Sequence, residues 1–545
     1  MEDRRWLIAA TVIAIAAALS IAYASNYGSK TQLTYLVEPL RLARPELYRN
    51  DWLVTHTTAY HPVFSWLAAW LFRIDDDGAV AFFVAQLVVS VATYVALYYV
   101  VTTLVSRGAL ALFAVIAAWL ALTEGRALAG SYLWSGYLQP SSLATLGWLI
   151  TLAAWLRGRT FVAGVALACA GALHVNFLVL GVGLFAATEL ATHPLDWRRV
   201  ALLVVPQLLV LVWFVPDLTA GADDPDLALR ILEKFHAPGH YDPHRITPSA
   251  LALLAWSIAA WAALPIARPL ARTTALDRLW RFAWIASASC LVAAAVIWIP
   301  CALGLTRLFV WRIGPFAQLA CQLVAAIAVI AVVEQPARLR LVPRWRRVVL
   351  AAAIVAIVAQ RHIVPPREAY IVLAMAALIM AAARALPAAV RDYLPTALAV
   401  VSCAIATGHR RAALFDPRVA AAIDPMTMWA RQATAVDALF LTPPAFGRFR
   451  LLARRAVVAD TWSPPLIPDE LVAWYRRLCR VVDIPDAATH EEIERRWTDV
   501  TGPRRLAIAR YFGADYLAVE RSAPAIAAPI AFDGDRYFVV YRVER

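Results

Sequence analysis

Long stretches almost without charge set the first limit on this chain. Residues 6–24, 79–105 and 279–305 are dominated by apolar residues and carry a single charged side chain among them, Arg281. A helix of about 20 such residues covers the hydrocarbon thickness of a bilayer, and backbone polar groups in that layer must be satisfied within the helix. Composition agrees: 61% of the 545 residues are hydrophobic and 16% are charged, against about 25% charged in soluble domains. A water-soluble helical fold is excluded, and a polytopic α-helical membrane protein is expected.

Thirteen spans are predicted, near residues 6–24, 79–104, 107–123, 141–156, 160–175, 176–192, 199–216, 248–267, 282–304, 308–333, 345–361, 368–386 and 393–408. The pair around His174 also reads as one hairpin. Residues 6–24 end in Ala-Tyr-Ala like a signal peptide, but an uncleaved first span closes the topology consistently. A cytoplasmic N-terminus puts Arg4, Arg5, Arg157, Arg159, Arg198, Arg199, Arg268, Arg272 and Arg338 on one side, the positive-inside pattern. The formal net charge of +13 is then loop arginine, and a nucleic-acid partner is not indicated. Cys169, Cys290, Cys301, Cys321 and Cys403 lie in apolar runs, so a disulfide framework is not supported.

The transmembrane domain is expected over residues 1–408, with long outer loops at 25–78, 124–140 and 217–247. Within the first loop, 61–74 is apolar but too short to span and reads as an interfacial helix. From residue 409 charge rises, and a small extracytoplasmic α/β domain is expected over 409–545. Its strands are predicted at 437–442, 456–460, 515–520 and 537–543, and its helices at 468–480, 489–497 and 503–512. A turn is predicted at 533–535.

Candidate chemistry lies mainly in the outer loops. Glu38, Glu46 and Asp51 stand in the first. A carboxylate there suits a general base toward an acceptor, and it equally suits pairing with Arg41, Arg44 and Arg49. Asp51 is preferred because Trp52 and the apolar stretch after it hold it near the membrane surface. His56 and His61 from the same loop are candidate substrate contacts. The third loop offers His236, His240, Tyr241 and His244. Pro238, Gly239 and Pro243 interrupt the histidine spacing, so a divalent metal is compatible with the ligand types but not indicated. Sugar or phosphate binding and a plain structured loop are the other readings. His174 and Asn176 sit at a predicted membrane edge, where polar groups are costly. Arg307 and Arg312 suit either a bidentate grip on a lipid phosphate or snorkelling, as does Arg126. Phosphate-binding glycine loops and the serine-hydrolase elbow are missing. The spans carry few acids apart from Glu189, which weakens an ion-coupled transport reading.

In order along the chain, Tyr48-Arg-Asn-Asp-Trp-Leu-Val, Gln139-Pro-Ser-Ser-Leu-Ala, Leu173-His-Val-Asn, His236-Ala-Pro-Gly-His-Tyr, Asp437-Ala-Leu-Phe-Leu-Thr-Pro-Pro and Arg454-Arg-Ala-Val-Val resemble the GT-C type of membrane glycosyltransferase. The resemblance implies sugar transfer from a polyprenyl-phosphate carrier to an acceptor of unspecified chemistry, at the outer face of a bacterial inner membrane. It implies an acid in the first outer loop as base or metal ligand; Asp51 is the matching position and Glu38 the second. Arg307 or Arg312 would hold the carrier phosphate, and His236 and His240 would contact the donor. The chain departs from the pattern in lacking an Asp-x-Asp or Asp-Glu pair in that loop; Asp75-Asp76-Asp77 stands near the second span instead. A flippase of lipid-linked sugars and a noncatalytic membrane subunit are the alternatives.

Overall fold

The computed structural model describes residues 2–24, 27–28, 31–58, 61–192, 194–219, 221, 223–299, 308–359, 397, 400–408 and 425–544. The predicted span at 368–386, the first part of that at 393–408, and Arg307 lie outside these residues. Among the described residues, five helices are long and apolar enough to cross a membrane: Ala79–Leu104, Trp197–Pro216, Pro243–Ala267, Thr273–Val296 and Val310–Val332. Shorter apolar helices include Trp6–Ala22, Ala109–Thr123, Pro140–Leu156, Thr160–Leu173 and Val175–Leu190. The chain is a multi-pass helical membrane protein with a small C-terminal sheet domain.

The chain forms two compact units, the first made of Met1–Ala24, Ala85–Phe214 and Gly239–Leu414. Without a hydrophobic drive between helices in lipid, close packing must come from small residues and buried polar pairs. Both occur here. A side chain on Gly147 would meet the Cβ of Ala170 at 2.7 Å, and one on Gly164 would meet the carbonyl oxygen of Leu202 at 2.1 Å. Trp148 packs edge-on against Phe177 and Phe185 and tilted against Phe316. Glu189, the acid singled out near a span end, accepts from Trp155 Nε1 at 2.6 Å and Arg199 Nη2 at 2.9 Å. His174 is the extended joint between the helices Thr160–Leu173 and Val175–Leu190.

The second unit gathers Ser25–Val84, Val215–Pro238 and Phe415–Arg545. Its sheet has the order β2-β1-β3-β5-β4. β1 (Leu439–Leu441) pairs parallel with β2 (Ala456–Val457) and with β3 (Tyr516–Glu520). β5 (Phe538–Arg542) runs antiparallel to β3, and β4 (Ile530–Phe532) antiparallel to β5. All of β1 is buried, as expected for a central parallel strand covered on both faces. Phe440, Phe449, Val457, Ala518 and Val540 form its core.

Sequence periodicity finds β1, β2, β3 and β5 and the helices Pro468–Val481, His490–Asp499 and Gly502–Tyr511. It misses β4, a short strand at the sheet edge, and the helix Pro425–Ala433. In the first loop, the 13-residue helix Pro62–Ile74 buries Phe64, Ala68 and Phe72 and exposes Trp66, Trp70 and Ile74. Gly78, at φ +77°, closes its end, where a Cβ would meet Phe72 at 2.6 Å.

Gly164→Ala is expected to force its helix off Leu202 and destabilise the full chain by about 1–3 kcal/mol, the usual cost of overpacking. Gly183→Ala, in a helix with nothing within 4 Å of the new methyl, should be neutral. The apparent Tm of each variant in detergent checks both.

Candidate functional site

A buried ion triad organises the second unit. Asp51 caps the helix Trp52–His56 by accepting from the Leu53 backbone N–H at 3.0 Å. Its other oxygen accepts from Arg450 Nε at 2.8 Å and from the backbone N–H of Val457, in β2, at 2.9 Å. Arg450 also donates to Asp460. The three side chains are at most 3% exposed. One guanidinium faces two carboxylates, so backbone donors must share the compensation, as buried charge requires. Burial alone would lower the Arg450 guanidinium, but Asp460 and then Asp51 raise it above its ordinary value.

The surrounding motif residues serve the same docking. The Tyr48 hydroxyl donates to the Arg450 carbonyl at 2.9 Å, and Asn50 Nδ2 to the Asp437 carbonyl at 2.7 Å. Tyr48 and Arg454 both adopt left-handed backbone, at φ 62° and 53°, which non-glycine residues keep only when their surroundings enforce it. The acidic run is accounted for as well. Asp75 caps the helix Ala79–Leu104 through Val80 and Ala81. Asp76 pairs with Arg44, Arg431 and Arg454, and Asp77 with Arg431 and Arg454.

Beside the triad lies an open cleft of about 160 Å³ whose lining includes Glu38, His61, His236, Thr34, Thr58 and Trp462. The triad builds its walls. The helix capped by Asp51 supplies Leu53 and Val54. Asp460 accepts from the Trp462 backbone N–H at 2.8 Å, while Thr34 Oγ1 donates to the Trp462 carbonyl at 2.6 Å. Thr58 donates to Glu470 through both its backbone N–H, at 3.0 Å, and its hydroxyl, at 2.8 Å. Glu38 is held by Arg41, at 2.7 Å from Nε and 2.5 Å from Nη2; this pairing raises the Arg41 guanidinium against the opposing effect of its burial. The His61 ring meets Tyr35 edge-on at 5.3 Å. His236 packs near Trp474 and His490, and burial pushes the His490 imidazole below its ordinary value.

The predicted residues therefore sort into groups. Glu38, His61 and His236 share the cleft. Asp51 does not line it: its carboxylate is enclosed and bonded to Leu53, Arg450 and Val457. His56 lies at the end of the capped helix, with Nδ1 2.7 Å from Thr55 Oγ1. The other candidates belong to the first unit. There His240 Nδ1 lies 2.6 Å from the Ala129 carbonyl, and His240, Tyr241 and Arg312 surround Phe309 at 5.2, 5.6 and 4.6 Å. Burial pushes His240 below its ordinary value. Ala129 and Phe309 both have positive φ. His174 is buried beside Phe177 at 5.1 Å, and Asn176 follows in the next helix. His236 and His240 fall in different units. Among the described residues, no three His, Cys, Asp or Glu side chains gather as a metal site. Arg450, Asp460 and Trp462 escaped sequence reasoning, because Asp51 and Arg450 are 399 residues apart and no local spacing links them.

A family model described as a domain of unknown function, DUF6798, matches residues 421–481, the stretch that carries Asp437, Arg450, Asp460 and Trp462. No curated protein matches the sequence. The structure is similar to the crystal structure of ArnT from Cupriavidus metallidurans in the apo state. That similarity has 16% identity, covers 100% of this chain and 99% of that one, and gives a TM-score of 0.45. The crystal structure of ArnT from Cupriavidus metallidurans bound to undecaprenyl phosphate gives 15% identity, coverage of 99% and 98%, and a TM-score of 0.46. At these scores the similarity bears on neither the reaction nor the residues that carry it.

Arg450→Met leaves two carboxylates buried together and is expected to cost about 3–5 kcal/mol. Asp51→Asn should cost less, and the double variant less than the sum; Tm shifts of the full chain give the cycle. Acid should loosen the Asp76 contacts. Burial pushes the Asp76 carboxyl up, but Arg454 and Arg44 outweigh it and hold it below its ordinary value of 3.8. A depressed folded value means that the contribution is complete above that ordinary value and is lost as pH falls through the folded one. Protease sensitivity of residues 31–58 should rise over that acid range, and Asp76→Asn should remove this pH-dependent part.

Proposed function

We propose that the protein is a glycosyltransferase of the bacterial inner membrane that uses a polyprenyl-phosphate-linked sugar, with its extracytoplasmic C-terminal segment contributing to the site. The observation that supports this reading is the cleft itself, where a carboxylate, two imidazoles and several hydroxyls meet around Trp462. Hydroxyls and imidazoles suit hydrogen bonding to a sugar, and an indole offers an apolar face to its C–H groups. The lipid carrier comes from the family resemblance and from the multi-pass membrane part.

In this reading Glu38 is the general base and takes the proton of the acceptor nucleophile. The freed lone pair attacks the anomeric carbon, and the bond from that carbon to the phosphate oxygen breaks. The polyprenyl phosphate leaves with the bonding electrons. His61 and His236 donate hydrogen bonds to the sugar or phosphate. Asp51 is a positioning residue that fixes two cleft walls through the Leu53 cap and through Arg450 and Asp460. Arg312 is assigned to the carrier phosphate, which a guanidinium can grip bidentately, and His240 to the donor head group.

The test uses purified full chain in nanodiscs, a panel of polyprenyl-phosphate sugars and candidate acceptors, with mass spectrometry of released polyprenyl phosphate. Wild-type protein should consume at least one donor. Glu38→Gln should slow release by roughly 10²–10⁴-fold, the usual contribution of a general base, with Tm unchanged. Asp51→Asn should lower Tm and activity together. Arg312→Gln should raise the donor KM. Donor translocated without covalent change, or full activity in Glu38→Gln, would overturn the assignment.

A further inference from the structure

The first unit carries an open surface pocket lined by arginines that shares no residue with the cleft. The helices Thr160–Leu173 and Trp197–Thr219 touch where Gly164 meets the Leu202 carbonyl. Only a residue without a side chain permits that approach. On the N-terminal side of this crossing they border an open, shallow pocket of about 360 Å³, with Arg159, Thr160, Arg198 and Arg199 in its lining and Gly158 and Leu202 between them.

Charge in this pocket is unbalanced. Three guanidinium groups face one carboxylate, Asp196. That carboxylate is engaged by the backbone N–H groups of Arg198 and Arg199, at 3.0 and 3.3 Å. Arg199 is turned toward Glu189 at 2.9 Å. Among the described residues, the exposed side chains of Arg159 and Arg198 form no ion pair. Arg278 adds a fourth positive group, with Nη1 3.6 Å from where a Gly158 side chain would begin.

Backbone dipoles add to the field. The N-terminus of the 14-residue helix Thr160–Leu173 has no capping side chain, so its first N–H groups and macrodipole favour an anion. The neighbouring surface is apolar: Phe161 is 58% exposed and Trp197 67% exposed. An anion site flanked by greasy side chains on membrane helices fits a charged head joined to hydrocarbon better than a free ion.

We propose that this pocket binds the phosphodiester headgroup of an anionic phospholipid. Arg159 and Arg198 grip the phosphate, Arg199 and the Thr160 helix end complete the field, and the acyl chains lie along Phe161 and Trp197.

The test is native mass spectrometry of the full chain released from nanodiscs of equal phosphatidylglycerol and phosphatidylcholine. Wild-type protein should retain phosphatidylglycerol selectively. Arg159→Gln with Arg198→Gln, both exposed positions, should cut that retention roughly ten-fold, while Arg107→Gln, an exposed loop arginine outside the pocket, should not. Millimolar glycerol 3-phosphate should fail to displace the lipid. Equal retention of both lipids, unchanged retention in the double variant, or an equal loss in Arg107→Gln would overturn the proposal. Displacement by glycerol phosphate would overturn it in favour of a soluble phosphate ligand. Donor turnover is not read in this experiment, so its outcome is separate from that of the glycosyltransferase reading.

Discussion

The contact on which the second unit depends is one guanidinium shared by two buried carboxylates. Arg450 bonds Asp51 from the first loop and Asp460 from the C-terminal segment. Taking these charges out of water is costly, and the cost is offset only when every oxygen finds a donor. Leu53, Val457 and Trp462 supply those donors from the backbone. Each of these backbone groups belongs to a structural element, so the electrostatic demand of the triad fixes a helix start, a strand and a cleft wall together. The network thereby ties two distant chain segments, the first loop and residues 450–462, to one arrangement.

The cleft inherits its geometry from that arrangement. Trp462 is held at its N–H by Asp460 and at its carbonyl by Thr34. Gly447 makes room for the indole, since a Cβ there would meet it at 2.5 Å. Glu38 and His61 come from the first loop, and His236 from the segment anchored through Asp223 to Asp469 and through Arg230 to Asp486. A carboxylate that lines the cleft and one enclosed beside it thus stand 13 positions apart in the same loop, Glu38 held by Arg41 and Asp51 by Arg450.

Several short motifs acquire a physical meaning here. Tyr48, Asn50 and Asp51 dock on Arg450, Asp437 and Val457, so the motif of the first loop and those of the C-terminal segment are two sides of one set of contacts. Asp75, Asp76 and Asp77 look like a metal-binding run in sequence, yet one caps a helix and two bind arginines. The spacing of His236, His240 and His244 suggests a cluster, but the unit boundary falls between the first two.

By itself the sequence determined the membrane class, the positions of most helices and four of the five strands, because hydrophobic length and period are local properties written in consecutive residues. It also marked Glu38, His61 and His236 as polar groups in long loops between apolar helices. Only the tertiary structure decided which of them share a cavity, and that Asp51 is enclosed in a buried ion pair with Arg450. Those outcomes rest on Arg450, whose pairing with a loop residue 399 positions away leaves no periodicity or spacing in the chain. The edge strand Ile530–Phe532 was decided the same way, since three residues of which none is fully buried gain strand geometry only from the neighbour they pair with.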